Sequence, residues 1–167
     1  PMAWRQRGNE LMFFFLTESY FKQFGDILED KSVYVQGIGH VGEALVEHLM
    51  NEGARVTISD INQERLEEVR SKYDVTIYGG QDIYSEPMDI YAPCALGATV
   101  NDDTLTRLNC SVIAGAANNQ LKEEAKHGQI LMQKGIIYAP DFALNAGGVI
   151  NCFSEVEGLS LEWAKQK

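Results

Sequence analysis

Residues Gly37-Ile38-Gly39-His40-Val41-Gly42 space three glycines as GxGxxG, and Asp60 stands 18 residues beyond the last of them. That combination can hold a dinucleotide: the first glycine permits a tight turn, the second lets a pyrophosphate approach the backbone, and the third lets a helix pack closely. An acidic side chain at the distance of Asp60, with Ile61 after it, accepts hydrogen bonds from ribose 2′- and 3′-hydroxyls. A 2′-phosphate would meet like charge there, so NAD is expected over NADP. The plainer role for Asp60 is to cap a helix starting near Asn62, and glycine-rich turns also occur where no ligand binds.

Other residue types offer little chemistry. His40 lies inside the glycine turn, at a position that points to solvent or packs on a sheet, and His48 and His127 read as solvated helical side chains. Cys94 has no neighbouring His or Lys in sequence to lower its pKa, so a packed thiol near the cofactor is expected there rather than a nucleophile. Cys94, Cys110 and Cys152 form no CxxC and no Cys/His pairing, which suggests neither a disulfide framework nor a metal site and fits a reducing cytoplasm.

The elements that must position these residues follow from periodicity. The run SVYVQ (32–36) reads as a strand feeding Gly37, and Val41, Leu45, Leu49 and Met50 as the helix after it, closed by Gly53. RVTIS (55–59) is a second strand ending at Asp60, so strand, glycine turn, helix and strand form one βαβ unit. A charged helix over 62–73 follows, then a weak strand over 75–78 and a strand over 89–96 that breaks at Pro93. Beyond it the pattern predicts a short helix over 102–108, a strand over 111–114, a helix over 121–134 closed by Gly135, and a last strand over 136–139. Alternating strands and helices imply an α/β fold, a Rossmann-type doubly wound and mostly parallel sheet with helices on both faces. Near the start, residues 10–24 carry Leu11, Phe14, Phe15, Phe21 and Phe24 at helical spacing, an amphipathic segment expected to dock on something.

Composition narrows the partners. With 24 acidic and 14 basic residues the net charge is −10, which repels phosphate backbones and anionic lipid, so neither nucleic acid nor membrane is an expected partner. The longest apolar run (11–16) is far too short to cross a bilayer and lacks a signal peptide's basic flank. At 167 residues the chain can bury one sizeable core. It begins at Pro1 and stops in a charged tail, and both ends are expected to be fragment boundaries.

Three further strings, APCALGATVND (92–102), IAGAANNQL (113–121) and YAPDFALNAGGVIN (138–151), together with VQGIGHVG, resemble the glutamate/leucine/phenylalanine/valine dehydrogenase family, above all its leucine-type members. The resemblance runs from about Thr17 to about Gly158. It implies that Cys94, Ala95 and Leu96 lie on the adenosine side of a bound NAD, that Ala116, Ala117 and Asn118 reach the nicotinamide ribose, and that Asn145 holds the nicotinamide end. The residue-level alternative for the asparagines is that they form turns tolerant of left-handed backbone. Val149 and Cys152, one helical turn apart, are implied to face the substrate side chain, and relatives of the leucine type tend to have valine where Cys152 stands.

The implied reaction is reversible oxidative deamination of an aliphatic L-amino acid to a 2-oxo acid, ammonia and NADH. In the family its lysine and aspartate belong to a preceding domain with no counterpart in this sequence, so no catalytic residue is named. The expected organisation is an N-terminal helical segment over 1–28, an NAD-binding domain over 29–158 and a truncated tail over 159–167. Such a chain would bind NAD without turning over substrate, and the full enzyme would assemble as a homo-oligomer through the missing domain. A non-enzymatic NAD-sensing domain and a pseudoenzyme share the glycine turn and the acidic residue. The first of these, and a methyltransferase, would not explain Asn118 and Asn145.

Overall fold

Val33 and Val35 are buried while Ser32, Tyr34 and Gln36 between them are half-buried, the period-two signature of strand β1 (Ser32–Gln36). A computed structural model of the chain describes residues 28–144. β1 leads through the glycine turn into helix α1 (His40–Asn51), which buries Gly42, Leu45, Val46 and Leu49, a stripe at intervals of three and four. Val41 and Met50, expected on that face, flank it half-buried. Gly53 follows the helix with positive φ, and its N–H donates to the Met50 carbonyl, as a C-terminal glycine does.

β2 (Arg55–Ser59) comes next, then α2 (Gln63–Lys72), whose N-cap is Asn62: its side chain accepts the Arg65 N–H at 3.1 Å. β3 (Thr76–Ile77), a single 3₁₀ turn (Ile83–Ser85), β4 (Ile90–Pro93), α3 (Thr104–Arg107), β5 (Val112–Ile113), α4 (Glu124–Lys134), β6 (Ile137–Tyr138) and the short α5 (Asp141–Leu144) complete the order. The strands pair in the order β3-β2-β1-β4-β5-β6, every pairing parallel. That is the expected doubly wound fold, and the chain direction reverses its march across the sheet between β1 and β4, which opens a crevice at the carboxyl ends of those strands.

Two helices are shorter than their sequence pattern because loop hydrogen bonds claim their first residues. Asn101 Oδ1 accepts the N–H groups of Asp103 and Thr104, so α3 starts at Thr104 rather than near Asp102. Leu121 pairs with Val100 in an isolated parallel bridge, and α4 starts only at Glu124. Gly135 ends α4 in the left-handed conformation.

His127 corrects the sequence reading. It is not solvated but fully buried on α4. Its Nδ1 accepts the Glu123 backbone N–H at 2.9 Å, as a capping-box side chain does one turn into a helix, and its Nε2 lies 3.3 Å from Asp102 Oδ1. His48 is half-buried, and His40 is exposed as expected.

One core cluster, Met88, Tyr91, Val100, Leu105, Leu108, Ile113, Leu121, Leu131 and Ile136, lies between the β4–β5 half of the sheet and its helices. At the amino edge Asp89 Oδ2 accepts both the N–H and the hydroxyl of Ser32 at 2.8 Å, and the Asp89 N–H returns a bond to Ser32 Oγ, which pins β4 to β1. Among the described residues no helix is long and apolar enough to cross a membrane. The expected helix over 10–24 and the segment past Gly158 lie outside the described residues.

Candidate functional site

Each glycine of the turn has its own steric reason. Gly37 has φ of +95°, and a Cβ there would stand 2.5 Å from the Ala95 Cβ and 2.7 Å from the Ala95 nitrogen, so the turn is tight and presses on the loop after β4. A Cβ on Gly42 would run into the Gly37 carbonyl oxygen, which is how closely α1 packs on the turn. Gly39 differs: a Cβ there meets nothing within 4 Å. The open side of the turn is thus at Gly39, the N-cap of α1, where the first-turn N–H groups of a helix lack intrahelical partners and attract an anion. His40 and Val41 continue from it, one exposed and one half-buried.

Asp60 meets this turn from β2. Its Oδ2 accepts the Ile38 N–H at 2.8 Å and its Oδ1 accepts the Asn62 N–H at 2.9 Å. The plainer capping role therefore falls chiefly to Asn62, while Asp60 fastens the turn. The carbonyl of the same residue, in the next peptide unit, is also held, since Arg65 Nε on α2 donates to the Ile38 oxygen at 3.1 Å.

Arg65 belongs to a closed ring of charges. It pairs with Glu43 on α1 and, at 2.6 Å, with Glu68; Lys72 pairs with the same two carboxylates at 2.9 and 2.7 Å. The Lys72 ammonium and the Arg65 guanidinium bring the exposed Glu68 carboxyl down to about 2. Sequence reasoning missed this ring because its pairs between α1 and α2 lie 22 and 29 residues apart, with no local pattern to reveal them.

Beside the turn opens a cleft of about 620 Å³, lined by residues that include Gly37, Asp60, Ile61, Ala95 and Leu96. Ile61 is fully exposed and Leu96 76% exposed, so two apolar side chains stand at its mouth with no core to enter. Gln36, Ser59, Tyr78 and Tyr84 line it too, none of them singled out from sequence. Gln36 holds the floor: its Oε1 accepts the Tyr91 hydroxyl and its Nε2 donates to the Tyr84 hydroxyl at 3.3 Å. Ser59 Oγ is buried and has no hydrogen-bond partner among the described residues, an acceptor and donor left for a ligand or water.

Cys94 does not line this cleft. It packs beside Gly42 under the turn, where burial pushes its thiol up to about 11 while a backbone hydrogen bond from Ala116 acts in the opposite direction. At that value the thiol is protonated at neutral pH, and the residue is a packed group rather than a nucleophile. Ala116, Ala117 and Asn118 follow β5 and sit apart from the cleft lining. The Ala117 N–H donates to the Pro93 carbonyl, the Ala98 N–H to the Asn119 carbonyl, and a Cβ on Gly97 would come within 2.6 Å of the Asn118 oxygen. The loops after β4 and β5 are therefore stitched backbone to backbone. The left-handed asparagine among them is Asn119, with φ of +52°, rather than Asn118. The buried Gln120 amide braces the same loop by donating to the Gly115 and Ala117 carbonyls. Asn145, Val149 and Cys152 lie outside the described residues.

Asp102, Glu123 and His127 bring three potential ligand atoms within 4.8 Å of one another. The arrangement does not suit a cation, because His127 Nδ1 is occupied by a backbone N–H, which leaves the ring proton on Nε2 facing Asp102, and Lys126 already neutralises that carboxylate at 2.7 Å.

Comparison with known proteins gives a consistent result. Residues 59–167 match the model of a family described as Glutamate/Leucine/Phenylalanine/Valine dehydrogenase. Leucine dehydrogenase of Thermoactinomyces intermedius is 51% identical over 145 residues, covering 86% of this chain and 39% of that protein. L-tryptophan dehydrogenase of Nostoc punctiforme is 44% identical over 137 residues, 82% of this chain and 39% of that protein. The crystal structure of an L-tryptophan dehydrogenase from the same organism superposes with a TM-score of 0.89 at 38% identity, covering 98% of this chain and 50% of that one. A hetero-hexameric glutamate dehydrogenase from Thermus thermophilus, at 19% identity and a TM-score of 0.71, shares the fold. The chain thus spans about 39% of the length of the leucine dehydrogenase it matches. On a match to about two thirds of its length, with relatives up to half identical, the chain belongs to the glutamate/leucine/phenylalanine/valine dehydrogenase family.

Proposed function

We propose that this chain is the NAD-binding part of an amino-acid dehydrogenase that catalyses reversible oxidative deamination of an aliphatic L-amino acid such as leucine. The observation that carries the reading is the meeting of Asp60 with the glycine turn at the mouth of the cleft, 22 positions apart in sequence and joined by one hydrogen bond. Around it the parts fit a dinucleotide. The open face at Gly39 and the start of α1 suit the pyrophosphate, and the outer lone pairs of Asp60 suit the ribose hydroxyls. Ile61 and Leu96 offer apolar faces to the adenine ring, and Ser59 Oγ offers a polar contact. Ala116, Ala117 and Asn118, in the loop fastened to the end of β4, stand in line for the nicotinamide ribose.

When bound, NAD supplies the hydride acceptor for the amino acid α-carbon; hydrolysis of the resulting imine gives the 2-oxo acid and ammonia. The chain's own residues bind and orient, and none of the described residues is assigned as catalytic acid or base. In this reading residues 29–158 form the NAD-binding domain, Asn145 holds the nicotinamide end, Val149 and Cys152 face the substrate side chain, and the lysine and aspartate of the reaction belong to a preceding domain through which the full enzyme forms a homo-oligomer. The composition and the relatives suit a cytoplasmic enzyme.

The test is fluorimetric. The isolated chain is expected to bind NADH, seen by a change in nicotinamide fluorescence, and to form no NADH from NAD and leucine. Turnover by the isolated chain would overturn the assignment of catalysis to another domain, and failure to bind NADH would overturn the reading as a whole.

A further inference from the structure

The nearest cation to Asp60 along α2 is Arg65, five residues on in the helix's first turn, and its guanidinium already touches the carbonyl of Ile38, the residue whose N–H Asp60 binds. An arginine beyond the second strand is what a ribose 2′-phosphate pairs with in a dinucleotide site. Here it is held back by two carboxylates. Arg65 pairs with Glu43 and Glu68, both of which also pair with Lys72, so the ring of two cations and two anions is electroneutral. The Arg65 and Glu43 side chains are only 22% and 18% exposed, which shields their pairing from salt more than a rim pair.

We propose that Glu43 is a specificity-determining residue: by holding Arg65 against α1, it denies a 2′-phosphate this cationic partner and so sets the preference for NAD over NADP jointly with Asp60. The inference rests on the reading of the cleft as an NAD site. Asp60 supplies repulsion; Glu43 removes the compensating attraction. Replacing Asp60 alone then leaves a site that no longer repels a 2′-phosphate but has no charge to offer it. Replacing Glu43 as well lets the guanidinium swing from α1 toward the ribose edge while its Nε remains near Ile38.

The experiment is titration of NAD and NADP into the chain and into Asp60→Ser, Asp60→Ser/Glu43→Gln and Asp60→Ser/Glu43→Gln/Arg65→Gln variants. The quantity read is the NADP-to-NAD affinity ratio, because the pyrophosphate is common to both and any gain from removing a negative charge near it cancels. The ratio is expected to rise about tenfold or more from the single to the double variant, the worth of a hydrogen bond between charged groups, and to fall back in the triple. Asp60→Ser/Glu68→Gln, which loosens Arg65 from its other side at an exposed position, is expected to move the ratio in the same direction by less, and serves if Glu43→Gln does not fold. A ratio unchanged by loosening Glu43 or Glu68, or a gain that survives loss of Arg65, overturns the proposal. If the unaltered chain binds neither nucleotide, the functional reading falls and this inference with it; NAD binding with an unresponsive ratio sinks this inference alone.

Discussion

Asp60 accepts the backbone N–H of Ile38 through Oδ2 at 2.8 Å, and so ties the end of the second strand to the glycine turn that follows the first. A carboxylate in that place shapes the turn and faces the cleft at once. Asp60→Ala is accordingly expected to lower NAD affinity about tenfold or more and to cost about 1–3 kcal/mol of stability, since Ile38 loses a charged acceptor. Calorimetric titration and urea unfolding of the same variant check both halves. Loss of affinity without loss of stability would mean that the bond to Ile38 is unimportant to the turn.

Gly39 and Gly42 separate ligand room from packing. Gly39→Ala adds a methyl where nothing lies within 4 Å, at a φ of −61° that any residue adopts, so the fold is expected to keep its unfolding midpoint while NAD binding is lost to the obstructed pyrophosphate. Gly42→Ala drives a methyl into the Gly37 carbonyl and is expected to destabilise by about 2 kcal/mol or more. Equal effects of the two on stability would show that the turn is not packed as described.

His127 is a structural group. His127→Ala removes a buried ring together with the acceptor for the Glu123 N–H, and is expected to cost about 2–4 kcal/mol by urea unfolding, with NAD affinity unchanged in the folded fraction. A loss below about 0.5 kcal/mol, the range of ordinary surface substitutions, would return His127 to the surface role its sequence context suggests.

The acid side of the stability profile is expected to report Asp89. Hydrogen bonds from the Ser32 backbone and hydroxyl hold its carboxyl below the ordinary 3.8, against the opposing effect of burial. A depressed folded pKa contributes stability that is complete above the unfolded value and is lost as pH falls through the folded one, so the loss lies below about pH 4. Asp89→Asn is expected to flatten the profile in that window. An unchanged acid limb would exclude the Ser32 pin as its cause.

Thiol chemistry supplies an independent check. Burial pushes Cys94 up to about 11 and Cys110 up to about 12, so alkylation of both at pH 8 is expected to lag well behind a free cysteine, as read by peptide mapping. Labelling of Cys94 at the free rate would place it outside the packing under the turn.

Those parts of the molecule governed by local rules were legible in the sequence. The alternation in 32–36, the three glycines, and Gly53 and Gly135 at helix ends each follow from the backbone's own demands, and the strands and helices stand close to where their periodicity puts them. What was not legible depends on distant partners. His127 reads as solvated because Glu123, Glu124 and Lys126 surround it in sequence, yet its buried ring turns back one helical turn to accept the Glu123 N–H. The ring through Glu43, Arg65, Glu68 and Lys72 needs α1 and α2 side by side before it exists. Tyr78 and Tyr84 line the cleft from segments around β3 and the 3₁₀ turn, too short to carry a period. The family resemblance, carried by strings such as ANNQL rather than by GxGxxG alone, was legible because those strings pack backbone on backbone and leave few alternatives at Gly97 and Gly115.

The most direct measurement is a calorimetric titration of NAD and NADP into the unaltered chain. Saturable NAD binding in the micromolar-to-millimolar range is expected, with NADP weaker by about tenfold or more, because a 2′-phosphate meets the Asp60 carboxylate and finds Arg65 already paired. No heat from either nucleotide, or NADP binding as tightly as NAD, would contradict it.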